Sequence, residues 1–117
     1  MSMAEGAEST ENAGSTENSE EDSARWLVIK GRRWRRTDPA LPAELEAQLK
    51  SHLGRGRSSV GAGKKTGDDE RVARARKRVN LAKTGLGERG PYWWERDESA
   101  RLEAARAALQ ELDQLPE

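Results

Sequence analysis

Three stretches of this chain set small and apolar residues at steps of three and four, and each stripe is only one residue wide. Leu45, Leu49, Leu53 (or the neighbouring His52), Gly56 and Val60 form the first. Val72, Ala75, Val79, Ala82 and Leu86 form the second, and Leu102, Ala105, Leu109 and Leu112 the third. That period places each set on one face of an α-helix. A stripe this narrow is a seam that packs against another helix, not a broad buried face. The supply of core material is equally narrow: Phe is absent, aromatics are 4% and charged residues 36% of the chain. At 117 residues there is room for one domain. Its stability as a monomer is expected to be marginal, and a partner or a second copy that hides more surface is welcome.

The ends of these helices are written in turn and capping residues. Pro42 suits the first helical position, and the first helix is expected to run from there to near Lys65, with Gly67 as terminator. Gly54, Gly56, Gly61 and Gly63 weaken it, each by about 1 kcal/mol relative to Ala. Its second half either frays or packs closely on a neighbour through those glycines. Asp68, Asp69 and Glu70 supply an N-cap and favourable charge to a second helix, which Gly85 and Gly87 end. The first two helices then form an antiparallel hairpin. Gly90-Pro91 is a turn, Tyr92-Trp93-Trp94 an aromatic knot, and Glu98–Leu115 a last helix.

Upstream, Arg25–Thr37 has the pattern of a β-hairpin. Trp26-Leu27-Val28-Ile29 is rich in strand formers, and Lys30-Gly31 is a two-residue turn. That register sets Leu27 opposite Trp34 on a face expected to join the core. Trp26 and Val28 fall opposite Arg35 and Arg33 on a basic face where an arginine can stack on Trp26. Residues 1–24 repeat the word STEN within a low-complexity stretch that offers nothing to bury, so disorder is the expectation.

The formal net charge of zero conceals a segregation. Residues 1–24 hold seven acids and no bases. Residues 25–94 hold 18 bases against seven acids, a balance of +11, and residues 95–117 are −4. A basic middle bracketed by acidic ends points to an anionic partner. Arg32, Arg33, Arg35 and Arg36 beside Trp34, with Arg74 and Arg78 on the second helix, are the candidate contacts for nucleic acid or another polyanion. Trp93 and Trp94 are candidates for a partner-facing patch, with a core role expected for one of them.

Other chemistry finds no footing. Without Cys there is neither disulfide nor thiolate metal site. Ser59–Thr66 resembles a phosphate loop, but that pattern needs Gly at Ser58 and Ser or Thr at Lys65, and no strand precedes it. His52 is the only histidine, with no carboxylate or nucleophile at helical spacing to activate it, so a packing or surface role is expected. No catalytic residue, cofactor or metal ligand is assigned, and the chain is read as non-enzymatic. No apolar run approaches the roughly 18 residues of a membrane span, and the N-terminus is acidic where a secretory signal is basic. The expected location is the cytoplasm.

Arg33-Trp34-Arg35-Arg36-Thr37-Asp38-Pro39, Gly54–Ala62 leading to Arg78-Val79, Ala82-Lys83, and Leu86-Gly87-Glu88-Arg89-Gly90-Pro91-Tyr92-Trp93-Trp94-Glu95 together resemble a family of small actinobacterial proteins. Some of its members carry the name biopolymer transporter Tol. The resemblance covers about residues 26–95, implies the same architecture and names no chemistry.

The expected fold is therefore α+β, mainly α: a short N-terminal β-hairpin, an antiparallel helical hairpin and a C-terminal helix, behind a disordered N-terminus. Residues 1–24 are an acidic tail, 25–95 a basic module and 96–117 an acidic amphipathic helix. The expected function is a small binding protein for nucleic acid or another polyanion. The alternative is a protein-interaction module that docks on an acidic protein or a second copy of itself.

Overall fold

Lys30 and Gly31 both take positive φ, 53° and 80°. This pair of angles makes a two-residue turn whose twist matches that of the strands it joins. It connects β1 (Trp26–Ile29) to β2 (Arg32–Arg35) in the computed structural model, which describes residues 22–116. The strands are antiparallel, with Trp26 paired to Arg35, Leu27 to Trp34, Val28 to Arg33 and Ile29 to Arg32, the register that the turn dictates. Most of the expected disordered tail lies outside the described residues. At residues 22–25 the backbone is helical, contrary to that expectation. There the Ser23 carbonyl accepts from Nε of Arg36 at 2.6 Å, and the Arg25 carbonyl from the Arg36 amide at 2.8 Å.

The chain divides into two units, one ending at Arg36 and one beginning at Thr37. The second is helical. α1 (Ala43–Thr66) runs unbroken through all four of its glycines, so it does not fray. It closes where Gly67 turns left-handed and the Asp68 amide reaches the Gly63 carbonyl at 2.9 Å. α2 (Asp69–Gly85) begins on Asp68, whose carboxylate accepts from the Arg71 amide at 3.0 Å. After a 3₁₀ turn at Trp93–Glu95, α3 (Glu98–Asp113) is capped in the same way by Asp97 on the Ala100 amide.

The core is the three seams meeting. Leu41, Leu45, Leu49 and Leu53 from α1 and its leader pack with Ala82 and Leu86 of the α2 segment and with Ala105 and Leu112 of α3. α1 and α2 approach most closely at two glycines. A Cβ at Gly56 would lie 2.8 Å from Cγ2 of Val79, and one at Gly63 would lie 2.8 Å from Cγ2 of Val72. The glycines that cost α1 helix propensity thus let α2 settle against it. Gly54 and Gly61 face open space.

Candidate polyanion-binding surface

The hairpin carries a tryptophan on each face, and each ring has a guanidinium stacked on it. Arg33 lies 4.2 Å from the Trp26 ring and Arg32 lies 4.7 Å from the Trp34 ring. The first stack is diagonal across the strands and follows from the register, since Arg33 faces Val28, two residues from Trp26. The second joins alternate residues of one strand, which share a face. The expectation that Leu27 and Trp34 would form a core face is corrected: they are 36% and 38% exposed, and Val28 and Ile29 more so. Two strands of four residues build no second layer, so both faces of the ribbon present large side chains.

In the helical unit the cations flank the α1–α2 seam. Arg55 and Arg57 bracket Gly56 in sequence, and Arg74 and Arg76 bracket Ala75, so each pair falls on opposite sides of the contact line. On one side Arg57, Val60, Arg76, Val79 and Arg89 line a groove of about 390 Å³. Lys83 stands near it with its pKa held below the ordinary lysine value, first by burial and then by Arg57 and Arg89, with Glu88 opposing. On the other side Arg55, Ser58, Ser59 and Arg71 line a groove of about 440 Å³. Arg74 is exposed and lines the continuation of this second groove. Arg55, Arg57, Arg71 and Arg89 are not among the contacts expected from the sequence. For the first three, the available signal was a base next to a seam position.

Arg78 is a correction. It is 5% exposed and its guanidinium is spent inside the protein. One terminal nitrogen donates to Nδ1 of His52 at 2.6 Å, and the other to the carbonyls of Leu115 and Pro116 at 3.2 and 3.3 Å. It is therefore not the exposed contact that its place among the bases of α2 suggests, although an edge of it lines the continuation of the second groove. His52 is itself 4% exposed, with Nε2 against Oδ1 of Asp113 at 2.8 Å. A guanidinium has no lone pair to offer, so Nδ1 is the acceptor and Nε2–H donates to Asp113. The carboxylate missing at helical spacing arrives from 61 residues away. The ring thus sits between Asp113 on one side and the guanidiniums of Arg78 and Arg55, which both point at Nδ1, on the other.

The aromatic knot is real. Tyr92 stacks on Trp94 with centroids 4.6 Å apart, and Trp93 meets Trp94 edge-on at 5.2 Å. Trp93 takes the structural role: it lies against Gly87 and beneath the Arg101 guanidinium, 5.3 Å from the ring. Arg101 in turn grips both oxygens of the buried Asp38, at 2.9 and 2.6 Å. The Asp38 amide donates to the Leu86 carbonyl, and the Thr37 hydroxyl to Glu88 at 2.6 Å. Thr37-Asp38 and Leu86–Trp93 thus meet as one clasp. They hold the α1 leader to the end of α2 and, through Arg101, to α3.

Among the described residues, no group of three His, Asp or Glu side chains is placed to hold a metal ion, and no helix is long and apolar enough to cross a membrane. No family model matches the chain, and neither a curated protein nor a solved structure does. The reading of function therefore rests on the surface itself.

Proposed function

We propose that this chain is a non-enzymatic cytoplasmic protein that binds nucleic acid or a similar polyanion, with single strands preferred. The observation that carries this reading is the hairpin: six bases and no acids from Arg25 to Arg36, with Arg33 stacked on Trp26 and Arg32 on Trp34. Guanidinium groups engage phosphates, and each base that stacks on an aromatic ring contributes about 1–3 kcal/mol without regard to its identity. The helical unit carries exposed cations of its own on both flanks of the α1–α2 seam.

The test is fluorescence anisotropy of the full chain with a labelled single strand and its duplex across a salt series. Complex formation is expected, with log K falling by roughly 0.7 per phosphate neutralised on the single strand, and with quenching of tryptophan emission. Replacing Arg32, Arg33, Arg35 and Arg36 together by Gln should abolish most of the affinity while leaving the helical circular-dichroism signal intact. Absence of any complex at low salt overturns the proposal.

The exposure of Val28 and Ile29, 69% and 51%, favours one second reading, in which a second copy or an acidic protein pairs with the ribbon. It requires concentration-dependent size in sedimentation, which Val28→Thr with Ile29→Thr should remove.

A further inference from the structure

The groove beside Arg55 lies wholly in the helical unit and has no part in the hairpin reading. Arg55, Ser58 and Ser59 come from three positions on one flank of α1, and Arg71 comes from the facing flank of α2. The groove continues past Arg74 towards Pro116, and among the described residues its lining holds no carboxylate. Two of its guanidiniums are held by neighbouring side chains. Arg55 donates to Nδ1 of buried His52 at 2.9 Å, and Nε of Arg71 donates to the Ser59 hydroxyl at 2.9 Å. The close approach of the helices at Gly56 and Gly63 is what brings Arg71 within reach of Ser59.

From this geometry we propose that the Arg55–Ser58–Ser59–Arg71 groove is a binding site for a phosphate group. A carboxylate is satisfied by one guanidinium used bidentately. Two guanidiniums with two hydroxyls spread donors around a larger, tetrahedral anion, and Arg is the side chain suited to that shape. The volume, about 440 Å³, exceeds what a bare phosphate fills and leaves room for the organic body it is attached to. Anchoring lowers the ordering cost on binding, since the arginines are already held in place. Ser58 and Ser59 lie at and beside the stretch that resembles a phosphate loop. They serve here through helix faces instead of a loop, so the failure of the loop pattern does not bear on this site.

Phosphate of this kind arrives either on a small molecule or in the backbone of a strand, and the experiment separates the two. The full chain is titrated with inorganic pyrophosphate, followed by ³¹P NMR and calorimetry, and separately with a short single strand. Saturable pyrophosphate binding is expected, weakened about tenfold by Arg71→Gln, as for loss of one charge-assisted contact. Ser58→Ala with Ser59→Ala, which removes no charge, should weaken it by a smaller factor. The hairpin variant with Arg32 and Arg33 replaced by Gln should bind pyrophosphate as the parent does, so failure of the hairpin reading leaves this one standing. If only the strand binds, and Arg71→Gln weakens it in the hairpin variant, the phosphate is that of a backbone. Binding of neither probe overturns the proposal, and so does equal affinity for citrate or pyrophosphate binding that Arg71→Gln leaves unchanged.

Discussion

Arg78 of α2 donates to Nδ1 of His52 in α1 at 2.6 Å, and both side chains are buried. Through its other terminal nitrogen Arg78 also holds the carbonyls just beyond α3, so one guanidinium ties three helices. A charge in that position is tolerated because both terminal nitrogens meet acceptors.

The first prediction concerns this contact. The ring proton of His52 should sit on Nε2, facing Asp113, with Nδ1 as the acceptor from Arg78, read from ¹⁵N shifts of the imidazole ring. His52→Leu, which leaves the buried guanidinium without its acceptor, should cost about 3 kcal/mol in urea unfolding. An Nδ1–H tautomer would refute the assignment.

Asp38 and Arg101 form the second buried pair. Burial alone would raise the Asp38 pKa, but hydrogen bonds from Arg101 and from the Ala40 amide, with the Arg101 charge, bring it below the ordinary carboxylate value. The folded chain therefore holds the Asp38 proton less tightly than the unfolded chain. The resulting stability is fully present above the unfolded-state value and is lost as pH falls through the folded-state value. Asp38→Asn should cost about 3 kcal/mol at neutral pH and flatten the acid side of the stability–pH curve. A variant as acid-sensitive as the parent would exclude this pair as the cause.

The α1 glycines divide into two pairs with opposite expected effects. Gly54→Ala and Gly61→Ala put a methyl into open space and should each raise stability by about 0.5–1 kcal/mol. Gly56→Ala and Gly63→Ala push into Val79 and Val72 and should lower it by roughly 1–3 kcal/mol. Thermal unfolding of the four single variants decides the matter, and a common sign for all four would contradict the packing.

Lys83 carries a penalty. Its pKa is lowered, first by burial and then by Arg57 and Arg89, so the folded chain binds this proton less tightly than the unfolded one. The cost is fully present below the folded-state pKa and disappears as pH rises past the unfolded value. Lys83→Met should raise the melting temperature at neutral pH, with the gain shrinking in strong alkali. A variant that melts below the parent at neutral pH would show that the lysine contributes more by packing than its charge costs.

Much of this structure was legible because its signals are local. Lys30-Gly31 dictated the hairpin register, Asp68 the start of α2 and Gly67 the end of α1, each through a bond or dihedral within a few residues. Arg78 was misassigned for the complementary reason. In sequence it is one base among several on α2, and its neighbours Arg76 and Lys77 are exposed. Only the arrival of His52 and the chain after α3 makes it an interior residue. Gly56 and Gly61 raise the same question at five residues' separation, and the answer depends on which flank of α1 meets α2.

The stack of an arginine on Trp26 is legible in the sequence, because alternation along a strand and pairing across a two-residue turn follow from backbone geometry, whereas Trp34, expected in the core, is exposed under Arg32 instead. The sequence by itself determined the secondary elements, their caps, the seams and the segregation of charge, all set by interactions that span a turn or less. Tertiary structure alone decided where the charges go: Arg78 inward to His52, Arg101 onto Asp38, and Arg55 and Arg71 into one groove. Those outcomes depend on which helix faces meet, and burial makes an unpaired charge too costly to leave where chance would put it.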